Sequence, residues 1–191
     1  MSELRFRTLS QAEEHLERIE KAPAYKATGL WSEAQIFDHL ANSFENSVSG
    51  YPGLLPAVLR KTIGRMIFRS QQKNGFMKPG SPNPNAPKVR AEGDAKQALK
   101  RLRKAIVQFK AHDGEMAIHP AFDRLSKDEF SHLHAMHMAN HLEHIHLEET
   151  KGRDARTARL TGKTQSGKSG SRKSTGKRSA SKKTGRSAKR K

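Results

Sequence analysis

The 191-residue chain has no cysteine. Disulfides, thiolate metal ligands, iron–sulfur clusters and a cysteine nucleophile are therefore excluded, and any sulfur chemistry would need a thiol brought from outside. Long apolar runs are missing too, with none near the roughly 20 residues a membrane helix requires. The opening stretch MSELRFRTLSQAEEHLERIE turns charged at once and lacks the apolar core of a secretory signal. A cytoplasmic protein is expected. Alternating apolar runs long enough for a strand are also lacking, and the β-branched residues are scattered, so the expected fold class is all-α. Acidic residues are nearly absent from one end. Residues 151–191 hold 16 Lys and Arg against Asp154 alone, which leaves 21 basic and 18 acidic residues in 1–150. The formal net charge of +18 thus belongs mostly to the tail, and the body is close to neutral.

What the chain does contain is helical spacing. Helices are predicted over 10–22, 32–49, 54–72, 94–112 and 126–148. Three of them open with a serine followed three residues later by a glutamate or glutamine: Ser10 and Glu13, Ser32 and Gln35, Ser126 and Glu129. In such a capping box the two side chains satisfy N–H groups left without partners in the first turn. The helix over 32–49 lines up Ile36, Leu40, Phe44 and Val48 with His39 at the margin, and the one over 94–112 lines up Ala98, Leu102, Ala105, Ile106 and Phe109. Between Lys73 and Gly93, four prolines and the nearby glycines and asparagines forbid a helix. A segment of this length inside a domain is a lid, a binding loop or an excursion, and with the helix before it makes a long crossover. In the helix over 54–72, Leu55, Leu59, Ile63, Met66 and Ile67 stand beside Arg60, Lys61, Arg65 and Arg69. Packing on the body is its expected use, and a membrane-surface helix the alternative.

Six of the ten histidines lie in a fifteen-residue stretch: His132, His134, His137, His141, His144 and His146. Residues four apart share one helix face, so His137 and His141 can converge on one ion, with His134 and His144 continuing that face and His132 and His146 further round. Met138 follows His137, so this is not the metalloprotease pattern, which needs a glutamate there. The spacing alone fits a polar seam hydrogen-bonded to neighbouring helices equally well. His39, at the inner edge of its helix, is the best third candidate. Three imidazoles would leave a coordination position open, as catalytic sites do, and would suit zinc, nickel, iron or copper. His119 reads as a turn residue before Pro120, or as a residue facing a substrate. Trp31 reads as a core anchor or as a stacking ring.

The motif Trp31-Ser32, Gln35-Ile36, His39-Leu40, followed by a late helix with His137 and His141, resembles the DinB-like, YfiT-type bundle proteins. Tyr51-Pro52, His119-Pro120-Ala121-Phe122 before Leu125-Ser126, and Leu133-His134 with His141-Leu142 are similar to an uncharacterised branch of that superfamily. The resemblance spans residues 5–148. It implies a four-helix bundle with two crossovers, in which one histidine of the second helix and two of the last, four apart, hold a divalent metal; these positions are His39, His137 and His141. Zinc or nickel is the implied ion, with iron as a further candidate. Characterised relatives of this kind include transferases and isomerases that use a low-molecular-weight thiol such as mycothiol or bacillithiol. The branch commonly has a glycine and a histidine where this chain has Asp123 and Asn140.

Two domains are expected: a DinB-like helical body over 1–150 and a disordered tail over 151–191. From residue 162 the tail contains only Lys, Arg, Ser, Gly, Thr, Ala and one Gln, too little apolar surface to offset the entropy of ordering. Basic residues without aromatics fit nonspecific phosphate neutralisation, so the tail is expected to bind nucleic acid in a salt-sensitive way and could place the protein at the nucleoid. The other partners expected are a thiol cosubstrate and, in a homodimer, a second copy. Two functions follow: a metal-dependent thiol transferase or hydrolase, or a non-enzymatic metal-binding or structural bundle tethered to nucleic acid.

Overall fold

The structure is a computed structural model that describes residues 4–77 and 93–148. Most of the proline-rich segment and all of the basic tail lie outside those residues. The described chain is mainly helical, as expected. In order it forms α1 (Leu9–Lys21), β1 (Tyr25–Ala27), α2 (Glu33–Ser49), α3 (Ala57–Leu59), a π-helical turn (Arg60–Gly64), α4 (Arg65–Asn74), α5 (Ala95–Ala111), α6 (Lys127–Leu142) and β2 (Ile145–Leu147).

Two of the three capping boxes form where the sequence places them. Ser32 and Gln35 close the start of α2, and Ser126 and Glu129 that of α6. The third, Ser10 with Glu13, does not form: α1 starts two residues earlier, at a Thr8 cap. Thr8 Oγ1 accepts the Gln11 N–H at 3.3 Å, and Gln11 Oε1 accepts the Arg7 N–H at 2.8 Å. Thr8-x-x-Gln11 has the same spacing as Ser10-x-x-Glu13, and either start puts Ala12, Leu16 and Ile19 on one inward stripe, so periodicity could not choose between them. Asp94, with no box expected, caps α5 by accepting the Lys96 N–H at 2.8 Å.

The core gathers Leu16 and Ile19 of α1, Ile36, Phe37, Leu40 and Phe44 of α2, Leu102, Ile106 and Phe109 of α5, and Phe130, Met136, Met138 and Leu142 of α6. α2 packs against α5 and α6, and α1 against α6. Ion pairs along the rim tie α5 to both neighbours: Arg101 with Asp38 at 2.9 Å and Glu45 at 2.5 Å, Arg103 with Glu20 at 2.8 Å, and Lys110 with Glu13 at 3.0 Å. From Phe130 to Glu143 no residue is exposed, so the later part of α6 runs through protein on all sides.

The last helix stops at Leu142 rather than 148, and the chain continues as β2. There Tyr25 pairs with Leu147, Lys26 with His146 and Ala27 with Ile145 in an antiparallel ladder. Two strands of three residues fall below the length at which alternation is visible in a sequence. Ile145 still goes into the core, and the Thr28 N–H donates to the His144 carbonyl at 2.8 Å. His144 and His146 are therefore not on the helix at all.

The helical run 57–74 buries the opposite side from the one expected. Its inward stripe is Arg60, Gly64 and Phe68, while Leu59, Ile63, Met66 and Ile67 are exposed. The cause is local. Arg60 donates through Nε to the Leu55 carbonyl at 2.9 Å and pairs with Asp123 in a mostly buried ion pair, while Leu55 N–H donates to the Pro120 carbonyl at 3.0 Å. Asp123 sits at φ 65, the left-handed region where glycine or a short polar residue is tolerated best. A carboxylate at this turn therefore does what glycine could not, because it pairs with Arg60. Gly64 lies so close to the same turn that a Cβ there would be 1.9 Å from the Ala121 carbonyl oxygen. Gly64→Ala must push the run off the body, and urea denaturation should show a loss of about 1–3 kcal/mol, against almost none for Thr62→Ala on the exposed side. An unchanged midpoint for Gly64→Ala would mean that the run does not rest there.

Candidate metal centre

α2 and α6 bring His39, His137 and His141 to one point. Each offers one ring nitrogen, and these atoms lie within 4.8 Å of one another. The Nε2 atoms of His39 and His137 are 3.0 Å apart across 98 residues of chain. Ring centroids are 4.9 Å apart for His39 and His137, 4.7 Å for His39 and His141, and 4.7 Å for His137 and His141, all edge to face. The four-residue spacing on α6 supplies two of the rings, and His39, at the edge of the apolar stripe of α2, supplies the third. The expected trio is thus brought together, on the expected helices.

Burial keeps these rings neutral. It pushes the His39 pKa from 6.5 down to about 4 and that of His141 to about 3, the latter helped by His39 and His144. His137 is held well below 6.5, first by burial and then by its two imidazole neighbours. Neutral imidazole is the form that binds a metal, because protonation removes the lone pair. A histidine ligand bonds zinc at roughly 2.0–2.1 Å, so three lone pairs this close suit a single ion after small ring rotations. His39 Nδ1 is buried with no hydrogen-bond partner, so the outer partner that commonly orients a ligating imidazole is not found for this ring among the described residues.

Trp31 forms the wall. Its ring stacks on His141 with centroids 5.3 Å apart and planes within 4°, and meets His39 edge-on at 5.0 Å. It stands just before the Ser32 cap, so the box that starts α2 also sets the indole against the imidazoles. Trp31 packs on the core, as its anchor reading expects, and its stacking partner is an imidazole of the cluster, a contact the sequence did not specify.

His134 does not continue the ligand face. Its Nε2 lies 3.1 Å from Ser47 Oγ, and its ring stacks on Phe44 at 3.9 Å and meets Phe109 edge-on at 5.0 Å. It belongs to a buried seam between α2, α5 and α6, the alternative considered for the whole cluster. His119 organises a turn: its Nδ1 accepts the N–H groups of Ala121 at 3.2 Å and Phe122 at 3.1 Å, and its ring stacks on Phe122 at 4.5 Å. Burial lowers both pKa values to about 3.

The folded state therefore binds fewer protons than the unfolded chain between pH 6.5 and about 3. The stability due to these neutral rings is complete above the unfolded value and is lost as pH falls through that window. In EDTA, denaturation at pH 5 should show about 2 kcal/mol less stability than at pH 7.5 for each such histidine. His134→Gln, which keeps a polar group beside Ser47, should shrink the difference by about one such increment. An equal pH dependence in the variant would place the titrating groups elsewhere.

Residues 1–148 match the model of a family described as a protein of unknown function, DUF1569. No curated protein and no solved structure matches the chain. The helical body that carries the three converging histidines is thereby a member of the DUF1569 family.

Proposed function

We propose that His39, His137 and His141 hold a divalent metal ion, zinc or nickel before iron, and that the protein is a DinB-like metal-dependent thiol transferase or hydrolase. The observation that carries this reading is the convergence of three neutral imidazole nitrogens within 4.8 Å from two helices distant in sequence. Chance clustering on one histidine-rich helix explains His137 with His141 but does not bring His39 to the same point. Packing of α2 and α5 with α1 and α6 at their sides also fits the four-helix arrangement that the DinB-like resemblance implies.

Three imidazole ligands leave a position at which a bound ion favours the deprotonated form of a thiol or water. The protein's own residues prepare that position. The closed surroundings of α6 keep the imidazoles unprotonated, and Trp31 covers one side of His141, so an incoming group must approach from another. With no cysteine in the chain, a sulfur nucleophile has to be a cosubstrate. A second reading, a metal-binding or structural body tethered to nucleic acid, is favoured by the 16 basic residues of 151–191.

Mass spectrometry of tag-free protein should find about one ion per chain, and His137→Ala should weaken binding by at least about tenfold. Trp31 is the sole tryptophan and touches two of the rings, so titrating nickel into chelator-treated protein should quench its fluorescence in the native chain and not in His137→Ala. Consumption of a low-molecular-weight thiol by the loaded protein separates the two readings. An ion without turnover of any thiol or hydrolytic substrate supports the tether, and absence of both ion and quenching removes the metal reading altogether.

A further inference from the structure

Outside the histidine cluster, the most unusual surface is the outward side of the run 57–74. Val58 is 73% exposed, Met66 66%, Ile63 52%, Leu59 44% and Ile67 43%, with Leu54 just ahead at 44%. These are six of the eight exposed large hydrophobics among the described residues. Scattered exposed apolar residues need no explanation, but a contiguous group on one helix does. Around them the charge has one sign. Lys61, Arg69 and Lys73 are exposed, Arg65 is half-buried against Glu129, and no acidic residue occurs between Glu45 and Glu92.

The chemistry and form of this face discriminate among occupants. The run rests on the body along one narrow stripe, so what it offers is a ridge without a pocket. A protein partner commonly anchors with aromatic side chains or arginine in fully enclosed pockets, and neither the concavity nor an exposed aromatic residue is found within the run. A second copy seated on the same face would bring its basic side chains against their own images. A bilayer needs no concavity: it deforms around a ridge, takes aliphatic side chains into the boundary between headgroups and acyl chains, and attracts flanking lysines and arginines when its lipids are anionic.

We propose that the helical run 57–74, with Leu54 just ahead of it, is an interfacial segment that seats this protein on an anionic lipid surface, with Leu59, Ile63, Met66 and Ile67 inserted and Lys61, Arg69 and Lys73 at the phosphates. No helix among the described residues is long and apolar enough to cross a membrane, so the association is peripheral. One apolar helix gives reversible attachment, and stable attachment takes a second signal. The polybasic stretch 151–191 supplies one of matching charge.

Because the chain has no cysteine, Met66→Cys in the full-length protein accepts one environment-sensitive fluorophore and nothing else reacts. With vesicles of phosphatidylcholine and phosphatidylglycerol the label should shift to the blue and be quenched by lipids brominated on their acyl chains. A label at Lys104→Cys, on the exposed side of α5, should stay water-like, and phosphatidylcholine alone should give little shift. Adding Ile63→Glu to the labelled chain should weaken the response by about tenfold or more. Three results would overturn the proposal. A water-like Met66 label on protein that sediments with the vesicles would assign the attachment to the tail alone. A blue-shifted label without lipid that grows with protein concentration would point to a second copy. One independent of concentration would mean that the chain covers this face itself.

Discussion

The packing of α2 against α6 is the constraint on which the rest depends. It brings His39 to His137 and His141, sets Ser47 against His134, and helps bury the later half of α6, which pushes the pKa values of His137 and His141 well down. A histidine-rich helix exposed to water would titrate near neutral pH and repel itself when protonated. Enclosed by apolar side chains of α2 and α5, the same residues become neutral nitrogen donors. The cost appears in acid, where the unfolded chain gains protons that the folded one refuses.

The enclosed histidines divide into two groups by what faces them. His39, His137 and His141 face one another and an indole, with no carboxylate or hydroxyl among the contacts found for them. His134 and His119 face hydrogen-bonding partners: a serine hydroxyl in one case and two backbone N–H groups in the other. The first set meets across α2 and α6 with one contact between its own members, His39 Nε2 to His137 Nε2. Each member of the second set has a nitrogen bonded to a hydroxyl or to backbone, with His134 Nδ1, like His39 Nδ1, buried and without a partner among the described residues. A metal reading of the first set does not extend to the second.

Much of this was legible in the sequence, and what was not has definite physical reasons. Helices α2 and α5 announce themselves by apolar residues at helical spacing, and α2 and α6 by serine boxes whose geometry the structure repeats. The convergence of the three histidines agrees with two rules, a four-residue spacing on one helix and an edge position on another, although the spacing alone left a polar seam equally open. Periodicity could not tell Thr8 from Ser10 as the first cap, because both starts bury the same side chains. It could not see two three-residue strands, which extended α6 on paper as far as residue 148. It also assigned Leu59, Ile63, Met66 and Ile67 to the core, since a helix with apolar residues ordinarily buries them. The orientation of that run is decided instead by Arg60 reaching Asp123 and by the absence of a side chain at Gly64, and both depend on a turn some sixty residues away.

The small β1–β2 pair has an effect out of proportion to its size. It fastens the chain just beyond α6 to the chain just before Trp31 and the start of α2, while at the other end of these helices the Ala117 N–H holds the Ser47 carbonyl at 2.9 Å. Sliding one histidine-bearing helix along the other would break a ladder and strain a clasp. The two fastenings thus oppose such sliding and leave torsions about the side-chain bonds as the less hindered way for the three rings to rearrange.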